Sequence, residues 1–192
     1  LESRRVFINQ PAFVATYYED GKPVFSTRTV VGKKSNQTYF FDDQIETVEV
    51  NPYWGVPQSI IINEMLPKLR SDPSYLDRLG YQVTYNGRAV SSSGVNWHSV
   101  GRGAVGVRQP PGDDNALGEL KILFPNTHAI YMHDTPSKSL FSRDMRAFSH
   151  GCVRLQDPRG MASRVLGISV EEVGREIAQG HNKALSVPHK IP

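Results

Sequence analysis

Apolar and polar residues alternate over short stretches of the first fifty positions, a pattern that predicts β-strands rather than helices. The stretches cover residues 4–10, 12–33 and 44–50 and are rich in β-branched and aromatic residues. Asp20-Gly21 interrupts the second stretch and is a strong signal for a tight hairpin turn. The first third of the chain is therefore predicted to be β structure.

The pattern changes at residue 52, where prolines and glycine interrupt the strands. Residues 58–69 and 71–80 are typical of two short helices. The second has Asp72 as its expected cap, Pro73 in the first turn and Gly80 at its end. A loop rich in serine and glycine follows near residues 91–97. We expect residues 52–103 to form a helical subdomain inserted into a β scaffold.

Strand patterns return at residues 103–109, 120–124 and 128–133, and the last forty residues favour helices. Asp157-Pro158 predicts the start of one helix. Ser169 with Glu172 forms a capping box for a second helix that ends at Gly180. The predicted fold class is mostly β, with an inserted helical segment and C-terminal helices.

Composition limits the classes of function without choosing among them. The 192 residues suit one catalytic or binding domain, and 39% hydrophobic with 21% charged residues is ordinary for a globular protein. The formal charge is +3, and the basic residues are scattered, which argues against nucleic acid as a partner. No run of about 18 apolar residues occurs. Because the sequence opens without methionine, we expect a processed protein or an excised domain.

Residues 101–106 spell the dinucleotide-binding pattern G-x-G-x-x-G, but their surroundings argue against it. That site needs a strand before the glycines and a helix after them, so that phosphate meets the helix N-terminus. Here a polar loop precedes the motif and prolines follow it soon after. We interpret these glycines as a loop leading into a strand, and we expect no cofactor.

Cys152 is the only cysteine, and it follows Ser149, His150 and Gly151. A lone cysteine is more often a small buried residue than a nucleophile. Gly151 nevertheless allows the close backbone approach that an acyl-transfer site needs. His133 and His150 are candidate bases, and an imidazolium near the sulfur would lower the thiol pKa.

Metal binding is the competing interpretation of this cluster. Cys152, His150, His133 and His128 carry soft ligand atoms. Tetrahedral zinc sites, however, rarely offer one cysteine without a second paired-ligand motif. Thiol chemistry is therefore favoured, and we expect no metal site.

Residues 133–158, HDTPSKSLFSRDMRAFSHGCVRLQDP, resemble the signature of the L,D-transpeptidase catalytic domain (YkuD-type). VVGKKSNQT, NPYW, QPPGDDNALGELKILFPN and IYMHDTP are similar to the larger, lid-bearing bacterial subtype. Together these motifs cover most of residues 4–170. The resemblance implies a β-sandwich-like catalytic core over residues 1–192, with residues 52–103 as its lid. It also implies a periplasmic location in the bacterial cell envelope and a further strand after KALSVPHKIP.

The resemblance also assigns roles to individual residues. Cys152 is expected to be the nucleophile, His133 its base and the Asp134 carbonyl the partner of the other imidazole nitrogen. The Gly151 amide is expected to stabilise the oxyanion. The expected substrate-binding residues are Tyr131, Ser149, His150, Arg154 and Trp54. Tyr131 would offer its hydroxyl to the oxyanion, and Trp54 is either a substrate-facing wall or a packing anchor.

The implied activity is formation of 3→3 cross-links between peptidoglycan stem peptides through a cysteine thioester. Tetrapeptide stems would be donor and acceptor, and carbapenems would be inhibitors. Two alternatives stay open. One is a cysteine carboxypeptidase or amidase that passes the acyl group to water, although papain-like enzymes place cysteine before histidine. The other is a wall-binding module with a vestigial site, which would have no need for Cys152 or His133. The number of subunits is not predicted.

Overall fold

The computed structural model describes residues 3–33, 43–125, 130–144, 146–149 and 151–192. The chain divides into two compact units. The core unit comprises Leu1–Pro52 with Gly112–Pro192, and the inserted unit comprises Tyr53–Pro111.

The strands within the described ranges are β1 (Arg4–Asn9), β2 (Val14–Glu19), β3 (Lys22–Gly32), β4 (Ile45–Val50), β5 (Trp54–Gly55), β6 (Gln82–Tyr85), β7 (Arg88–Val90), β8 (Val105–Gln109), β9 (Leu120–Leu123), β10 (Met132–His133), β11 (Ala147–Ser149), β12 (Val153–Leu155) and β13 (Lys183–Ile191). The α-helices are α1 (Gln58–Ile60), α2 (Leu66–Ser71), α3 (Tyr75–Arg78), α4 (Pro158–Leu166) and α5 (Val170–Ala178). A π-helical turn (Ile61–Met65) joins α1 to α2, and 3₁₀ turns lie at Ser92–Gly94 and Lys138–Ser142. The described part of the chain contains no helix that is both long enough and apolar enough to cross a bilayer.

The core unit is built on one large sheet whose described strands follow the order β1-β2-β3-β12-β10-β9-β4-β13, with β11 paired to β3. Asp20 and Gly21 form the predicted hairpin turn between β2 and β3, with φ of 50° and 76°. Val6 N–H donates to Pro192 O (2.8 Å), which joins the two end strands of this order. The mostly β fold class is confirmed.

Helices α4 and α5 begin where the sequence predicts. The Asp157 side chain accepts from Gly160 N–H (3.0 Å), and Ser169 accepts from Glu172 N–H (3.1 Å). These caps satisfy amide groups that the first turn of a helix leaves without partners. The helices pack onto one face of the sheet, where their apolar side chains share a core with strand residues. That core includes Met161, Val165, Val173, Val48, Ile122, Met132 and Val153.

The inserted unit has its own hydrophobic core and its own sheet, of order β5-β8-β6-β7. Trp97 is almost fully buried and donates from Nε1 to Ser92 O (2.9 Å). The prediction that Asp72 caps the second helix is wrong. Helix α3 spans only Tyr75–Arg78, and Asp72 instead accepts from the Arg78 guanidinium (3.0 Å). The Asp72 side chain thus forms an ion pair with Arg78 instead of the expected helix cap.

The core unit holds together the two points at which the inserted unit leaves and rejoins it. Asn115 Nδ2 donates to Pro52 O (3.0 Å), and Asn115 Oδ1 accepts from Leu117 N–H (2.8 Å). Asn115 is almost fully buried. One side chain thereby ties the end of the first core segment to the start of the second.

Candidate active site

Two parallel strands at the centre of the large sheet present the candidate catalytic side chains. In β10 and β12, Met132 pairs with Val153 and His133 with Arg154. Met132 and Val153 are fully buried in the helix-covered core. Because side chains alternate along a strand, His133 and Arg154 lie on the opposite face. The residues that precede each core residue, Tyr131 and Cys152, lie on that same face.

The Cys152 thiol is half-buried and lies against Tyr131. Both the backbone N–H and the hydroxyl of Tyr131 hydrogen-bond to the sulfur. Burial raises the pKa of the thiol, and the Tyr131 hydrogen bonds and the charge of Arg154 only partly offset that increase. The thiol is therefore protonated at neutral pH, whereas a neighbouring imidazolium had been expected to lower its pKa.

His133 is only 6% exposed, and its Nδ1 hydrogen-bonds to the backbone carbonyl of Asp134. A carbonyl oxygen can only accept, so Nδ1 carries the proton and Nε2 keeps its lone pair. Burial lowers the pKa of His133 to about 4, and the nearby charge of Arg154 lowers it as well. The imidazole is therefore neutral at pH 7 and has the tautomer that a general base needs.

A short turn shapes the backbone immediately before the nucleophile. The Ser149 side chain accepts from Gly151 N–H (3.2 Å) and donates to Cys152 O. Gly151 has φ of 122°, a backbone conformation that side-chain-bearing residues rarely adopt. Ser149 is almost fully buried, and the hydrogen bonds of its side chain lie within this turn. Its contact with substrate stays a prediction.

Arg146 anchors the strand that leads into this turn. Its guanidinium donates to three backbone carbonyls: Thr29 O (2.9 Å), Arg143 O (2.7 Å) and Phe13 O (3.0 Å). Arg146 is almost fully buried, so its guanidinium must find hydrogen-bond partners within the protein, and these three carbonyls supply them. Arg146 was not identifiable from the sequence, because two of its three partners, Thr29 and Phe13, lie 117 and 133 positions away.

Lys121 is a second residue that the sequence analysis missed. It pairs with His133 across β9 and β10, and its ammonium lies 5.4 Å from the centroid of the Tyr131 ring. The Glu49 carboxylate on β4 forms an ion pair with this ammonium, at an N–O distance of 3.4 Å. The alternation of strand 120–124 would have placed Lys121 on the candidate face. Two cations, Lys121 and Arg154, thus flank the base.

The core unit also contains a cavity of about 560 Å³ beside the Asp134 carboxylate. Its lining includes Asn51, Glu119, Asp134, Lys138, Arg159 and Ile177. Cys152 and His133 are not among its lining residues. This cavity is therefore distinct from the face that carries the thiol.

His150 and His128 lie outside the described residues. Among the residues that are described, no group of three or more histidine, cysteine, aspartate or glutamate side chains could hold a metal ion. Trp54 belongs to the inserted unit, where it packs partly buried against that unit's own core.

Comparisons with known proteins agree with the motif. The family model of the L,D-transpeptidase catalytic domain (YkuD) matches residues 3–177. A Haemophilus influenzae protein, provisionally named an L,D-transpeptidase, is 37% identical over 163 residues, which are 84% of this chain and 33% of that protein. The chain thus spans about a third of the length of this relative.

Solved structures show weaker similarity. L,D-transpeptidase LdtMt1 in complex with imipenem has a TM-score of 0.47 at 14% identity, over 87% of this chain and 55% of that one. An L,D-transpeptidase from Mycobacterium smegmatis has a TM-score of 0.42 at 16% identity, over 83% and 52%.

Proposed function

Because the chain belongs to the L,D-transpeptidase catalytic domain family, we propose that it is a cysteine acyltransferase that forms 3→3 cross-links between peptidoglycan stem peptides. The observation that carries this proposal is the shared sheet face of Cys152 and His133. A thiol and a neutral imidazole with a free Nε2 lone pair are the two groups that acyl transfer through a thioester requires.

Acylation begins from a neutral pair, because burial opposes charge on both groups. His133 Nε2 takes the thiol proton as the Cys152 sulfur attacks the carbonyl between diaminopimelate and the terminal D-Ala. The bond from that carbonyl to nitrogen then breaks, and the imidazolium returns the proton to the leaving D-Ala amine. The product is a thioester on Cys152 and a neutral imidazole.

In the second half of the reaction, His133 carries a proton in the opposite direction, from an attacking amine to the sulfur. A side-chain amine of a second stem attacks the thioester while His133 removes its proton. The sulfur leaves as a thiol with that proton, and the amide cross-link is complete. Water in place of the amine would give the carboxypeptidase outcome.

The oxyanion formed in each step needs hydrogen-bond donors fixed in advance. We assign this role to the backbone amides of Gly151 and Cys152. In this structure the Gly151 N–H donates to the Ser149 hydroxyl, so it must exchange that partner for the oxyanion. The Tyr131 hydroxyl, which hydrogen-bonds to the sulfur, is released as the sulfur is acylated and then faces the same oxygen.

Recognition of the stem peptide is assigned to the two cations beside the base. Stem peptides carry several carboxylates, and Arg154 and Lys121 project from neighbouring strands of the same face. We further propose that the inserted unit acts as the lid of the family's larger subtype and limits access of water to the thioester. The setting would be the periplasm of a bacterial envelope.

The test uses purified muropeptides with tetrapeptide stems, analysed by mass spectrometry. We expect cross-linked dimers from the wild type, no thioester or dimer from Cys152→Ala, and acylation slowed by about 10²- to 10⁴-fold in His133→Gln. His189→Gln, an exposed histidine on β13, is the matched control and should behave as the wild type. Trimmed monomers without dimers would instead assign the carboxypeptidase activity. A folded Cys152→Ala protein that still converts stems would refute the proposal.

Carbapenems offer a second, independent readout of the same thiol. The family resemblance leads us to expect acylation of Cys152 by imipenem, seen as one added mass in the intact protein. His133→Gln should slow this reaction, and Cys152→Ala should abolish it. An adduct that persists in Cys152→Ala would show that the reactive group is another residue.

A further inference from the structure

Asp134 contributes more than the backbone carbonyl that accepts a hydrogen bond from His133 Nδ1–H. Its side-chain carboxylate is the second feature. Its side chain is buried, and the carboxylate is held on both oxygens. Glu119 N–H donates to Oδ2 (2.9 Å), and the Lys138 ammonium pairs with Oδ1. Such contacts fix the side chain of the residue whose main chain orients the base.

Gly118 allows the neighbouring turn to close onto this carboxylate. Its φ is 63°, and a Cβ atom added there would overlap the Asp134 side chain. The turn is itself fixed, since Gly118 N–H donates to Asn115 O (2.9 Å). A residue with any side chain at position 118 must therefore displace Asp134.

The backbone of Asp134 is held on the other side by the sheet. Asp134 N–H donates to Leu120 O (3.0 Å), immediately after β10 ends at His133. Backbone and side chain together leave the carbonyl little freedom to rotate. Because that carbonyl accepts from Nδ1, its direction determines which imidazole nitrogen carries the proton.

We propose that the Asp134 carboxylate is a positioning residue, which acts with Gly118 and Lys138 to hold the carbonyl that fixes the His133 tautomer. The inference rests on the proposed function only in taking His133 as the base. Misplacement of a reacting group by about 1 Å can cost about 10²-fold in rate. A peptide freed to rotate at Asp134 would cause a loss of this order.

The first experiment changes the carboxylate while keeping its shape. Asp134→Asn has a single acceptor oxygen, and if that oxygen accepts from Glu119 N–H, the amide NH₂ is left facing the Lys138 ammonium. Asp157→Asn is the matched control. It lines the same cavity, undergoes the same change and keeps a good helix cap at α4.

The second experiment moves the carboxylate while keeping Asp134. Gly118→Ala places a methyl group against it. Gly167→Ala is the control, since Gly167 has a similar φ of 70° but its added Cβ would meet nothing within 4 Å. Both variants carry the same kind of backbone strain. Only the first displaces Asp134.

The readout is the imidazole ¹⁵N spectrum of the free enzyme, in which His133→Gln identifies the His133 signals. We expect the wild type to show His133 protonated at Nδ1, and Asp134→Asn and Gly118→Ala to show a mixture of tautomers. Their kcat should fall about 10- to 100-fold with little change in KM. Both controls should match the wild type.

Each outcome decides between alternatives. Unchanged His133 signals in Asp134→Asn and Gly118→Ala would overturn the positioning role, whatever their activity. Equal disturbance in the two controls would also overturn it, because general destabilisation would then explain the effect. If the tautomer shifts as expected but the wild type makes no cross-links, the proposed function fails and the positioning role stands.

Discussion

Burial of His133 in its neutral form predicts a specific loss of stability in mild acid. The pKa of the imidazole is about 4 in the folded protein, against 6.5 in an unfolded chain. Between these values the unfolded chain binds a proton that the folded protein does not bind. The free energy of unfolding must therefore fall as the pH falls from 6.5 toward 4.

The size of the effect follows from the difference in pKa. A shift of about 2.5 units corresponds to about 3 kcal/mol when the titration is complete, at about 1.4 kcal/mol per unit. Most of this, about 2.5 kcal/mol, is lost by pH 4.5. The carboxyl groups of Asp72 and Asp77, whose pKa values hydrogen bonds lower from 3.8, lose their contribution only at lower pH. Above pH 4.5, the part of the loss that His133→Gln abolishes therefore reports on this histidine.

The assay is urea denaturation at pH 7.0 and pH 4.5. The free energy of unfolding must depend on urea concentration with the same slope at both pH values. The wild type should lose about 2.5 kcal/mol between the two, and His133→Gln should lose much less, because glutamine does not titrate. His189→Gln, which changes an exposed histidine, should lose as much as the wild type. An equal loss in His133→Gln and the wild type would show that protonation of His133 is not the cause.

Three further predictions concern the backbone around the thiol and the inserted unit. Gly151→Ala should lower the free energy of unfolding by about 1–3 kcal/mol in urea titrations and slow acylation, since φ at this position is 122°. Arg146→Lys should cost about 2 kcal/mol in the same assay, because lysine cannot serve three carbonyls in the fixed arrangement of a guanidinium. Amide hydrogen exchange across residues 58–95 should be fast in the free enzyme and slow down once imipenem acylates Cys152. Unchanged exchange after confirmed acylation would argue against a lid and for a docking surface.

Local signals in the sequence were sufficient wherever one short stretch determines the structure. Asp20-Gly21 forces a hairpin because both positions need positive φ, and Asp157 and Ser169 cap helices through their own side chains. Each of these features depends on partners within four residues. Their prediction from sequence therefore did not require knowledge of the fold.

Two strand features were missed for different reasons. Asn86-Gly87 joins β6 to β7 with φ of 49° and 80°, so a hairpin signal was present but lay inside a segment interpreted as helical. Strand β13 contains Pro188, which weakens a strand pattern. Its pairing with β4 shifts register between Ser186 and Ile191, which allows the proline to be accommodated.

The residues of the candidate site also differ in whether a local sequence pattern contains them. Cys152 and His133 were identifiable because the family motif keeps them in one short segment. The Arg146 hydrogen bond to Phe13 O spans 133 positions, and the close approach of Gly118 to the Asp134 side chain depends on how a turn meets a strand end. No local pattern contains either contact. The residues that support the site were therefore visible only in the folded chain.

The hydrogen bond from Asn115 to Pro52 has a consequence for how this kind of protein diversifies. Because the core unit itself holds the two attachment points together, a segment of almost any length can join them without disturbing the strands that carry the thiol and the base. Loss, replacement or enlargement of residues 53–111 then alters neither the nucleophile nor its histidine. The segment can therefore be exchanged during evolution while Cys152 and His133 keep their positions in the sheet, and Asn115 marks the junction at which a graft should be made.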